Sequence, residues 1–166
     1  MVAIAAFSAA LWLSPAKPKP SVRPGGLITE VTAQQVLEHV LSAKSPVVLV
    51  NFWASWCEPC KQEFPELLQL REKWAAKGLS VIFVSIDDPD DLPAAEAFLH
   101  EQHVNFETFT KGAQPLSFVT EIYPKWEGAV PTTLLFNPQA KLLDAWEGDA
   151  TLAEFEEHIT HQLGGT

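Results

Sequence analysis

Two apolar, β-branched runs of strand length, at 46–53 and 79–86, bracket a stretch of helix length and leave the chain few folds to choose from. Each run is continuously apolar rather than alternating, as a strand is when both of its faces are covered. A helix is expected between them over about 57–77, closed by Gly78 at the position just past a helix end. Strand, helix and strand in that order make a right-handed βαβ unit with parallel strands. The fold class is therefore α/β.

The remaining elements follow from caps and turns. Thr32 with Gln35 opens a capping box, and Val36, Leu37, Val40 and Leu41 continue it as a helical stripe to about Ala43. After the second strand, 87–91 reads as a turn and helix cap, 92–102 as a helix, 104–108 as a short strand and 115–122 as a further helical piece. A hairpin is expected from 132–136 and 141–146 around the Asn137, Pro138, Gln139, Ala140 turn. Thr151 with Glu154 caps the last helix, which runs to about Leu163.

Ahead of these elements lie an apolar segment and a Pro-rich one. Residues 2–13 would rise about 18 Å as a helix, against a hydrocarbon core of about 30 Å, which is short for a membrane span. The length suits the apolar core of an export signal, with Ser14, Pro15 and Ala16 near a cleavage point. No basic residues precede the run; Lys17, Lys19 and Arg23 follow it, which under the positive-inside rule argues against export. The reading is a leader at 1–16, signal or anchor, with Met1 inside a longer natural leader; a frayed apolar tail on a cytosolic protein is the alternative. Pro15, Pro18, Pro20, Pro24, Gly25 and Gly26 mark an extended tether over 17–26. The domain proper is expected over 27–166. The whole chain has a formal charge of −10, and such a surface repels phosphate backbones, which argues against nucleic acid as a partner.

The chain has two cysteines, Cys57 and Cys60, so the C-x-x-C must be explained by itself. Cysteines three apart in a helical turn have Cβ atoms about 5–6 Å apart, and modest adjustment brings them within disulfide reach of about 3.5–4.5 Å. The pair falls where a buried strand ends and a helix begins. Cys57 then meets the unpaired N–H groups and positive dipole of the first turn, which lower a thiol pKa. Cys57 is the expected nucleophile and Cys60 the resolving thiol. Pro59 suits this turn because its missing N–H would have had no helical partner. Half a zinc or copper site is the competing reading, but His39, His100, His103, His158 and His161 lack the spacing to complete one. Inert buried thiols are a poor match to a strand-to-helix junction, and no P-x-x-x-T-x-x-C pattern marks a thiol peroxidase. Nor does 87–91 have the loop spacing of a calcium-binding EF-hand.

The segment Asn51-Phe52-Trp53-Ala54-Ser55-Trp56-Cys57-Glu58-Pro59-Cys60-Lys61-Gln62-Glu63-Phe64-Pro65-Glu66-Leu67, with Val130-Pro131-Thr132-Thr133 downstream, resembles the thioredoxin superfamily and, within it, the extracytoplasmic TlpA/ResA-like disulfide reductases. The likeness covers roughly 30–162. It implies a thioredoxin-like fold with a central mixed β-sheet flanked by helices, and an added helix and strand within about 87–125. It also implies a cis Pro131 beside the cysteines, with Trp56, Val130, Pro131 and Thr132 facing the substrate. Plain thioredoxin carries a buried aspartate at the place of Asn51, so another group would have to take the proton of Cys60. Glu63 matches a glutamate of the TlpA/ResA-like group and could be that base; a solvated carboxylate in an early helical turn is the plain alternative. Glu58 adds negative charge beside Cys57, which disfavours the thiolate and makes the pair more reducing. Apolar Val130, where strongly oxidising relatives carry Thr, points the same way. Trp126 could wall the substrate groove or plug the core.

The resemblance implies a reductase of protein disulfides outside the cytoplasm, for example in cytochrome c maturation. It would need no cofactor beyond the dithiol, and would draw on a membrane thiol-reductant donor, with a possible membrane tether through the leader. A disulfide oxidase or isomerase using the same site, and a binding module with regulatory thiols, are the alternatives.

Overall fold

The computed structural model describes residues 26–164; the leader at 1–16 and all of the tether but Gly26 lie outside them. In chain order the elements are β1 (Ile28–Glu30), α1 (Ala33–Ser42), β2 (Val47–Trp53), α2 (Glu58–Trp74), a 3-10 turn (Ala75–Lys77), β3 (Leu79–Ser85), α3 (Leu92–Glu101), β4 (Thr108–Thr110), α4 (Ser117–Ile122), β5 (Thr132–Phe136), β6 (Leu142–Glu147) and α5 (Leu152–Leu163). They build one six-stranded sheet in the order β1-β4-β3-β2-β5-β6. The first four of these strands run parallel, and β5 and β6 are added antiparallel to their neighbours. This is a mixed α/β sheet of the thioredoxin kind, with α3, β4 and α4 filling the interval 87–125.

The two bracketing runs are central strands. All seven residues of β2 are buried, and it pairs in parallel with β3 from Val47 opposite Leu79 to Trp53 opposite Ser85. Successive side chains leave a strand on opposite faces. Trp53 accordingly packs on Phe64 of α2 and Phe98 of α3, with ring centroids 5.2 and 5.5 Å away, while Phe52 meets Phe118 of α4. Both capping boxes, Thr32 with Gln35 and Thr151 with Glu154, are formed in both directions. Gly78 ends the α2 segment at φ +97, and a Cβ there would lie 2.9 Å from Pro46 Cγ, so the turn that returns the chain to β3 admits glycine alone.

One local expectation is corrected, and two features go beyond what was expected. The strand expected over 104–108 lies at Thr108–Thr110, because Val104 is spent closing α3: His103 adopts φ +56 and the Val104 N–H returns to the Leu99 carbonyl. β1 went unanticipated, since three residues are too few to show a period; it completes the sheet by pairing with β4. The 87–91 segment is the expected turn and cap, with the Asp91 N–H on the Asp88 carbonyl, and it holds one feature more. Asp91 holds the N-cap position of α3 without a side-chain capping bond, and Asp87 is buried.

Candidate active site

β2 delivers the chain to the site. Past Trp53, the Cys57 N–H closes a tight turn onto the Ala54 carbonyl at 3.1 Å, and Cys57 becomes the N-cap of α2. The Cys60 N–H, one of the helix's orphan donors, points at Cys57 Sγ from 3.2 Å. Such a donor stabilises a sulfur that carries negative charge. Cys57 and Cys60 are joined in a disulfide with Cα atoms 5.3 Å apart, and both are buried. Pro59 stands in the first helical turn. Trp56, the residue before the pair, is 59% exposed, an unusual position for an indole.

Opposite the cysteines, the Val130–Pro131 peptide bond is cis. The Val130 carbonyl lies 3.4 Å from Cys57 Sγ. A disulfide sulfur has no proton to donate, so this approach becomes an S–H···O hydrogen bond only on reduction. Val130 is half-buried, whereas Pro131 and Thr132 are buried. The Thr132 hydroxyl is turned inward and donates to the Ala129 carbonyl at 2.7 Å. Trp126 is half-buried and packs against the hydrophobic core, and its Nε1 donates to the Ala129 carbonyl and to Thr132 Oγ1, bracing the loop before Pro131.

Glu63 is not a solvated carboxylate; it is 2% exposed. Its Oε1 accepts from Asn51 Nδ2 at 2.8 Å and its Oε2 from the Ala150 N–H at 3.2 Å. Burial pushes its carboxyl up from 4.5 to about 7, a rise that these two hydrogen bonds only partly offset. Asn51 Nδ2 also donates to Thr133 Oγ1, while Asn51 Oδ1 has no hydrogen-bond partner among the described residues. A carboxyl that titrates near neutrality, one helical turn beyond Cys60, has the proton affinity suited to exchanging a proton with a thiol. Glu58 is exposed and its nearest side-chain donor is Gln62 at 3.5 Å.

Asp87 is a site residue that sequence reasoning missed. It is fully buried, and its carboxylate accepts the Ser55 N–H at 3.0 and 3.1 Å, the Ser55 hydroxyl at 2.6 Å and the Ser85 hydroxyl at 2.6 Å. It thereby pins the loop that presents Cys57. The only local signal was an acid directly after a buried strand, with Ser85 two residues earlier. Among the described residues, no group of three or more His, Cys, Asp or Glu side chains is placed to hold a metal ion, and no helix is long and apolar enough to cross a membrane.

Comparison with known proteins agrees with this geometry. Residues 28–145 match the AhpC/TSA family. A thiol-disulfide oxidoreductase ResA from Bacillus thuringiensis is 25% identical over 137 residues, covering 82% of this chain and 73% of the relative. A crystal structure from Chlorobium tepidum assigned as thiol:disulfide interchange protein DsbE superposes with a TM-score of 0.59 at 30% identity, covering 74% of this chain and 84% of that one. StoA from Bacillus subtilis shares the fold, with a TM-score of 0.56 at 20% identity over 69% of this chain and 82% of its own.

Proposed function

The chain belongs to the AhpC/TSA family, as a TlpA/ResA-like thiol-disulfide oxidoreductase of the thioredoxin superfamily, and from that premise we propose that it reduces disulfides of protein substrates outside the cytoplasm. The observation that carries this reading is the Cys57–Cys60 pair facing a cis Val130–Pro131 bond, with Val130 O 3.4 Å from Cys57 Sγ. In the reduced protein the Cys57 thiolate attacks one sulfur of the substrate disulfide and the other sulfur leaves as a thiolate. Cys60 then gives up its proton and attacks Cys57 Sγ, which releases the second substrate thiolate. Two electrons pass to the substrate and the protein is left with its own disulfide. Glu63, buried and titrating near neutrality, accepts the Cys60 proton. The half-buried Val130 backbone and the exposed Trp56 receive the substrate chain, on a loop that Thr132 and Pro131 support from inside.

The reducing direction is supported by Glu58, whose charge beside Cys57 opposes the thiolate. The Cys60 N–H at Cys57 Sγ works in the opposite sense. A site outside the cytoplasm is supported by the apolar run at 2–13 and by the likeness to the TlpA/ResA-like group. In that setting a membrane thiol donor re-reduces the pair, and the disulfides of apocytochrome c are among the substrates it would serve. The test is the equilibrium reduction potential of Cys57 and Cys60 in defined thiol buffers. A value at or below about −230 mV is expected, and one near −120 mV would make the protein an oxidant.

A further inference from the structure

The last residue of β6, Glu147, holds its carboxylate against backbone rather than a cation. One oxygen accepts the Glu127 N–H at 2.8 Å and the other the Ala129 N–H at 3.1 Å. Gly128, between these two donors, adopts φ +101, a bend open to glycine that turns both N–H groups toward the same side chain. On its other side the Ala129 peptide is held through its carbonyl, which accepts from Trp126 Nε1 and from the Thr132 hydroxyl, both at 2.7 Å. The next residue is Val130, whose carbonyl approaches Cys57 Sγ. Immediately after Glu147, the Gly148 N–H takes the Pro131 carbonyl at 2.8 Å, and the Ala150 N–H takes Glu63. Three residues within four positions, Glu147, Gly148 and Ala150, thus reach the loop before the cis bond, the carbonyl after it and the buried carboxylate.

We propose that Glu147 is a positioning residue that sets the 127–130 loop for a polypeptide substrate, as distinct from a small disulfide. This rests on the oxidoreductase reading above. Residues 127–129 are exposed and belong to no helix or strand, so their own packing does little to fix them. A substrate chain lying along Val130 must find that backbone already in place, or its binding bears the cost of ordering it. A small disulfide needs only to reach Cys57 Sγ and makes no such demand.

The test uses the reduced full chain reacting with insulin, a polypeptide disulfide, and with 2-hydroxyethyl disulfide, a small one. Glu147→Ala removes both acceptors and is expected to raise KM for insulin about tenfold, the size of effect of losing charge-assisted hydrogen bonds, with kcat changed less than about twofold. Glu147→Gln keeps one acceptor and is expected to fall between wild type and the alanine variant, which preserves the test should the alanine variant fold poorly. The loss with 2-hydroxyethyl disulfide is expected to be smaller than with insulin, and the equilibrium with glutathione unmoved. An unchanged KM for insulin, equal slowing with both disulfides, or a shifted glutathione equilibrium overturns the proposal. A wild-type protein that exchanged with neither disulfide would instead overturn the oxidoreductase reading.

Discussion

Replacing Glu63 with Gln separates the cost of ionising a buried carboxyl from everything else the side chain does. In the folded protein this carboxyl titrates at about 7 rather than 4.5, because burial removes more hydration than Asn51 Nδ2 and the Ala150 N–H restore. In the unfolded chain it titrates at its ordinary value. Between pH 4.5 and about 7 the native state therefore holds a proton that the unfolded state has lost. The free energy of unfolding falls as pH rises through that window. Below it both states are protonated and the cost is absent; above it both are ionised and the cost is complete. At about 1.36 kcal/mol per pH unit, the full cost is about 3 kcal/mol.

Gln is uncharged at every pH, so the Glu63→Gln variant lacks this slope. Its NH2 must face one of the two donors that the carboxylate now accepts, which adds a pH-independent penalty of about 1–2 kcal/mol. The informative quantity is therefore the stability difference between variant and wild type as a function of pH. Urea unfolding of the oxidised proteins isolates it: the bonded cysteines do not titrate, and the five histidines are common to both. The variant is expected to gain about 3 kcal/mol on wild type between pH 4.5 and 8, or about 10 °C in Tm. A difference flat to within about 0.5 kcal/mol across that range would refute the argument, since no other group differs between the two proteins.

Asp87→Ala leaves the Ser55 N–H and two hydroxyls without an acceptor in a dry place; a loss of about 3 kcal/mol is expected by chemical denaturation, and a wild-type midpoint would show that the loop before Cys57 holds itself. Thr151→Ala removes the N-cap of α5 and half of its capping box, for which thermal melting should register a loss of about 1 kcal/mol.

What could be read from the residues in advance was whatever leaves a local trace. The continuous apolar character of β2 and β3, the two capping boxes and Gly78 each act within a few positions, and each stands where its pattern places it. The cysteine pair was legible for the same reason, because a strand-to-helix junction is a local event. β4 was displaced because Val104, apolar and β-branched, serves as well to close a helix as to start a strand. Of the three acids around the site, Glu63 was singled out only through the family resemblance, while Asp87 and Glu147 were missed. An acid's default reading is solvent, and the partners that overturn it lie far along the chain: Ala150 is 87 residues from Glu63, Ser55 is 32 from Asp87, and Glu127 is 20 from Glu147.

Those acids share a task. Glu63, Asp87 and Glu147 each accept a backbone N–H, from Ala150, from Ser55, and from Glu127 and Ala129, so that the loop before Cys57, the loop before Pro131 and the turn after β6 are all tied down by carboxylates. Neutral side chains could have made some of these bonds with less charge. Burial holds Glu63 protonated up to about pH 7, so the negative charge nearest Cys57 in sequence is Glu58, and a thiolate forming there works against it. The Cys60 N–H and the helix dipole favour the thiolate from the other side. Redox direction is set by which of the two prevails, because stabilising the thiolate stabilises the reduced form and makes the pair a stronger oxidant. Neutralising Glu58, which is exposed and holds no backbone in place, should therefore shift the potential toward oxidising values without loosening the site.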